Sequence, residues 1–213
     1  MRPGHFRRAR ALCLAAALVG WSFASPRLPA GWRVALQAGL GGLLVLVTRV
    51  PLGLSPPRLW AGLRLGSLTG VAAVGAIAAT TVLPPVRRSM AVRDLPAPVS
   101  AWLLVRIPLG TIWAEESAFR AALAGSGSVA FGTDGGRLLQ AATFGLTHIA
   151  DARATGEPVA ATVLVTAVGG WLFGWLAHRS GSLAAPMLVH LAINEAGAIA
   201  ALTMQRRSRP ESR

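Results

Sequence analysis

No lysine occurs in the 213 residues, there is one cysteine, and only eight side chains are acidic. The lone Cys13 excludes an internal disulfide and any cysteine-based zinc site. It lies in the first apolar run and reads as a small lipid-facing residue. The scarcity of charge excludes more. Charged residues make up 14% of the chain against 53% hydrophobic, with a mean hydropathy of +0.53. That leaves too little polar surface for a soluble protein of this size, but it suits a bundle of membrane helices whose outside faces lipid. The net charge of +13 rests on arginine alone. With the abundant Ala, Gly and Pro it reflects a composition bias, into which no function is read.

A basic chain raises the question of nucleic acid. These arginines, however, sit at the borders of apolar segments: Arg7, Arg8 and Arg10, then Arg87, Arg88 and Arg93, then Arg206, Arg207 and Arg209. Positive charge at such borders holds a membrane protein in orientation against anionic lipid. No stretch is long enough for a separate soluble nucleic-acid-binding module, so membrane lipid is an expected partner and nucleic acid is not.

Seven apolar runs stand out, at about 11–24, 32–50, 66–83, 98–124, 137–150, 159–178 and 183–203. A span needs about 20 residues. The fold class expected is therefore all-α, a polytopic transmembrane helix bundle of about seven spans. The first run, with its basic Met1–Arg10 and small residues at Ser22 and Ala24, also has the anatomy of a signal peptide; an uncleaved span is the preferred reading. Ser55–Gly66, which carries Arg58 and Arg64, reads as an amphipathic stretch along the interface. Glycines from Gly125 to Gly136 read as a flexible loop, and Asp151–Pro158 as another. Most of the seven tryptophans suit interfacial anchoring. Orientation by charge is conflicted: seven spans from a cytoplasmic N-terminus put the basic tail outside. There is no internal repeat. The organisation expected is N-terminal helices over 1–97, a core over 98–203, and a basic tail over 204–213.

Six polar residues are out of place in these runs: Glu115, Glu116, Arg120, His148, His190 and Asn194. An ionisable group at the centre of a membrane helix costs about 2.5–3.5 kcal/mol on insertion scales, so such groups persist where they pair or perform a task. In Glu115-Glu116-Ser117-Ala118-Phe119-Arg120, residues four apart share a helical face. Glu116 and Arg120 can pair, while Glu115 points about 100° away, toward another neighbour. In Phe144-Gly145-Leu146-Thr147-His148 the ring of Phe144 can pack on the imidazole, and Asp151 can orient it. His190 and Asn194 share one side of the last run. The plain alternatives are solvated helix ends and hydrogen bonds between membrane helices. Taken together, however, one free carboxylate, two imidazoles, a carboxamide and a balanced ion pair are the groups that water-driven amide hydrolysis needs. A base takes a proton from water and donors hold the oxyanion.

The ordered motifs resemble the CPBP intramembrane proteases, a family that includes CAAX prenyl endopeptidases and bacteriocin-processing or immunity proteins. Ala114-Glu115-Glu116 with Phe119-Arg120, His148, and Gly181-Ser182-Leu183 leading to His190 and Asn194 carry the resemblance, which covers about 98–203. Ala121 departs from it, standing where many members have glycine. The resemblance implies a hydrolase of a bacterial cell membrane acting on a peptide or protein substrate. Glu115 would be the general base and His148 would position the water. His190 and Asn194 would stabilise the oxyanion, and Glu116 with Arg120 would support the site. A metal-free mechanism is preferred; the zinc alternative would use Glu115, His148 and His190. A non-enzymatic immunity scaffold and a transporter or proton relay are the other readings, the last disfavoured by the missing repeat.

Overall fold

The computed structural model describes residues 3–208, which are helical almost throughout and contain no strand. Helix α1 (Pro3–Ala24) is followed by α2 (Ala30–Thr48), α3 (Arg58–Thr80) and the short α4 (Pro84–Val92). A single turn, α5 (Val99–Ala101), opens into two π-helical segments, Trp102–Trp113 and Glu116–Leu123. Then come α6 (Ala124–Thr147), α7 (Ile149–Thr155), α8 (Val159–Ser180) and α9 (Ala184–Ser208). All seven apolar runs fall on helix. Five of these helices are long and apolar enough to cross a membrane: α1, α2, α3, α8 and α9. Cys13 is exposed on α1, as a lipid-facing residue would be. Arg209 and Arg213 of the basic tail lie outside the described residues.

Three connectors differ from the sequence reading. The Gly125–Gly136 stretch is not a loop but a helical hairpin. Gly132, with φ 79° and ψ 169°, breaks α6 into two arms. The arms fold back so closely that a β-carbon on Gly136 would lie 2.4 Å from the backbone nitrogen of Ser128. Glycine here supplies both the left-handed turn and the close approach. Asp151–Pro158 is mostly α7, closed by the left-handed Gly156. Ser55–Gly66 is not a separate interfacial helix, because α3 begins at Arg58 and runs unbroken to Thr80.

Helix α3 packs along α9, α6 along α8, and α1 along α6. On α3 the buried Gly62, Gly66 and Gly70 recur every fourth residue. A β-carbon on Gly66 would come within 2.9 Å of the Ala185 backbone. Small residues let membrane helices meet where apolar burial gives no drive between them. Polar clamps add direction: the fully buried Gln140 donates from Nε2 to the Gly170 carbonyl at 2.8 Å, joining α6 to α8. Trp113 donates from Nε1 to the Ala38 carbonyl at 3.0 Å, joining the first π-helical segment to α2. Trp113 is therefore an internal clamp rather than an interfacial anchor.

Candidate active site

Glu115 sits at the junction of the two π-helical segments. A π-helix bonds i to i+5, and such turns are rare and concentrate at functional sites. Its wider turn reduces the angle between successive side chains. Both Glu115 and Glu116 approach His190 on α9, at different ring nitrogens, while Glu115 alone also faces a cavity. His190 donates from Nδ1 to Glu116 Oε1 at 2.8 Å, while its Nε2 lies 3.8 Å from Glu115 Oε2. Glu116 in turn lies 3.3 Å from Arg120 Nε, and both of these side chains are fully buried. That contact is an ion pair without hydrogen-bond alignment, and the Arg120 Nη atoms have no hydrogen-bond partner among the described residues. Aromatic faces compensate: the guanidinium carbon lies 4.1 Å from the Phe144 ring centroid, 4.9 Å from Phe173 and 5.8 Å from Phe119. A desolvated cation over an aromatic face gains about 2 kcal/mol.

The same Phe144 ring packs edge-on against His148, with centroids 4.7 Å apart, as the one-turn spacing predicts. Asp151 does not orient that imidazole. His148 Nδ1 instead donates to the Phe144 carbonyl at 2.8 Å, the nearer acceptor one turn back. Since a carbonyl only accepts, the proton is fixed on Nδ1 and Nε2 is left as the free nitrogen. Asn194 turns onto its own helix, donating from Nδ2 to the His190 carbonyl at 3.0 Å, with one amide proton to spare.

A cavity of about 380 Å³ opens beside these groups, between α1, α2, the π-helical segments and the His148 end of α6. Glu115 and His148 line it, with Arg33, Gln37 and Asp151, and apolar walls come from Leu14, Leu18 and Leu44. His190 and Asn194 do not line it; they stand behind Glu115. Of the four residues expected to do chemistry, two share the cavity and two form its support. Glu115, His148 and His190 are not gathered as a metal site: among the described residues no three His, Cys, Asp or Glu side chains are placed to hold a metal ion. Phe173, which packs on both Arg120 and His190, carries no signal in the sequence beyond its apolarity.

Residues 97–196 match the family model described as type II CAAX prenyl endopeptidase, Rce1-like. That stretch is similar to this family, in agreement with the resemblance carried by the motifs, and it contains all six of the misplaced polar residues. No curated protein and no solved structure gives a match.

Proposed function

We propose that this chain is an intramembrane endopeptidase in which Glu115 activates the attacking water. The observation that carries the reading is that Glu115 and His148 face one largely apolar cavity while a buried Glu116–Arg120–His190 network fixes the base from behind. Water held between the Glu115 carboxylate and His148 Nε2 gives its proton to Glu115 as its oxygen attacks the scissile carbonyl carbon. The carbonyl electrons move onto oxygen, where the spare amide proton of Asn194 and, when both ring nitrogens carry protons, the Nε2–H of His190 are the donors beyond Glu115. Collapse of the tetrahedral intermediate breaks the C–N bond, and the leaving amine recovers the proton from Glu115. Glu116 and Arg120 orient His190 and take no proton. A peptide of the CAAX type is the substrate class that the Rce1-like match favours.

The test is cleavage of a prenylated CAAX-type peptide by purified protein in lipid. Activity that survives chelation and is lost in Glu115→Gln and His148→Asn supports the mechanism. Activity lost on chelation and restored by zinc overturns its metal-free form. Full activity in Glu115→Ala overturns the assignment, and a native phenotype in a Glu115→Gln, His148→Asn double variant favours a non-enzymatic scaffold.

A further inference from the structure

A second cavity, of about 290 Å³, lies at the opposite end of the bundle from the Glu115 cavity. It is bounded by the C-terminal end of α2, the start of α3, the hairpin of α6, the end of α8 and the segment entering α9. Four helices long and apolar enough to cross a membrane thus end or begin around it, which is where a span would meet the lipid headgroups. Its lining includes Arg58, Arg137 and His178, with Ser128 and Thr133, and contains no acidic residue.

The donors are poorly matched within the protein. Arg58 leads α3, and its side chain lies over Gly181, where an added β-carbon would be 3.6 Å from the Arg58 Cδ. Arg58, His178, Ser128 and Thr133 have no side-chain hydrogen bond or ion pair among the described residues. Arg137 pairs with the exposed Asp134 through Nη2 and stacks over Trp171 at 5.1 Å, yet its Nε is buried without a hydrogen-bond partner among the described residues. Arg58, Thr133 and His178 are exposed at its mouth, and a positive cleft with no acidic lining favours an oxyanion there. Arg120 also contributes to the inner wall, but its guanidinium is fully buried, paired with Glu116 and stacked on the phenylalanines.

We propose that this cavity binds the phosphate group of an anionic membrane phospholipid. Arginine matches phosphate with paired N–H donors, and basic clefts between membrane helices are suited to anionic headgroups. Two features favour a lipid over a free ion: the position at the helix ends, and the exposed apolar Leu138, Trp171 and Trp175 beside Arg137, along which an acyl chain can lie. The proposal is independent of the peptidase reading, since neither Glu115 nor His148 lines this cavity.

The experiment uses the full chain in nanodiscs of phosphatidylcholine alone, with added phosphatidylglycerol, or with inorganic phosphate in the buffer. Thermal unfolding is followed in each, and native mass spectrometry counts the phospholipid retained. Phosphatidylglycerol should raise the unfolding temperature and leave one bound lipid. Arg58→Gln and Arg137→Gln should each weaken that binding about tenfold or more, the loss expected for a charged hydrogen bond. Arg179→Gln, at the same end of the bundle but outside the lining, should not. Unfolding in phosphatidylcholine alone reports whether each variant is folded, and His178→Gln replaces any that is not. Equal stabilisation by inorganic phosphate would overturn the lipid source. No effect of phosphatidylglycerol, or an equal loss in Arg179→Gln, would overturn the site.

Discussion

Glu116 has no exposed surface, yet it is the point where two other polar side chains meet, Arg120 and His190. Removing one partner of a buried ion pair leaves the other charge uncompensated, at a cost of about 3–5 kcal/mol. Glu116→Gln can still accept from His190 Nδ1 but no longer balances Arg120. Denaturant unfolding in detergent should show a loss of that size, and adding Arg120→Met should restore most of it. If the double variant is no more stable than the single one, the pair is not the reason Glu116 is buried. Glu115 belongs to a different class, with about a third of its side chain exposed to the cavity. Glu115→Gln should leave unfolding unchanged and lower peptide turnover by about 10²-fold or more, the usual contribution of a general base. The Glu116–Arg120 pair was legible because it lies within one helix at a spacing of four. The Glu116–His190 bond, 74 residues apart, has no local signature. The reading of Asp151 as the partner of His148 failed because a backbone carbonyl lay closer than any carboxylate.

Helix α3 is held to α9 by what it lacks. Gly66→Leu would drive a branched side chain into the Ala185 backbone, where even a β-carbon comes within 2.9 Å. Overpacking of this kind costs about 1–3 kcal/mol, and the strain falls on α9, which carries His190 and Asn194. At Gly75 on the same helix an added β-carbon meets nothing within 4 Å, so Gly75→Leu should be silent in both unfolding and turnover. Equal effects of the two substitutions would mean that helix propensity, rather than contact, sets the outcome. Element type was the most legible level, since apolar runs of span length leave few alternatives to helix. Within it, two features were hidden. Glycine marks both turns and close approaches, so the Gly125–Gly136 stretch reads as a loop although Gly132 alone makes the turn. The π-helical register around Glu115 leaves no trace in composition, and neither does the approach of both glutamates to one histidine.

Arginine clusters at both ends of the molecule, which is why charge alone does not orient it. The start of α1 lies beside the α6 hairpin, with Arg8 6.0 Å from the Phe131 ring. The far end of α9 lies instead beside α4, where Gln205 donates to the Arg93 carbonyl at 2.6 Å. From the hairpin end the chain passes down α1, up α2, down α3, up through the π-helical segments, down the second arm of α6, up α8 and down α9. An odd number of passes puts the two described ends on opposite faces, so the charge conflict noted in the sequence is built into the fold. The Glu115 cavity opens toward the end that holds Asp151 and the last turns of α9, away from the start of α1. Cys13 is the only cysteine in the chain, so replacing it with alanine gives a clean background for single reporters. In sealed vesicles, a membrane-impermeant thiol reagent should label Arg7→Cys from one face, and both Asp151→Cys and Arg207→Cys from the other. Labelling of Arg7→Cys and Arg207→Cys from the same face would require an odd number of passes to be lost; withdrawal of both the π-helical segment and the α6 arm leaves the five long apolar helices and keeps the ends opposite. Labelling of Asp151→Cys with Arg7→Cys would turn the Glu115 cavity to the opposite side and place the hydrolytic water on the face where the phosphate site is proposed.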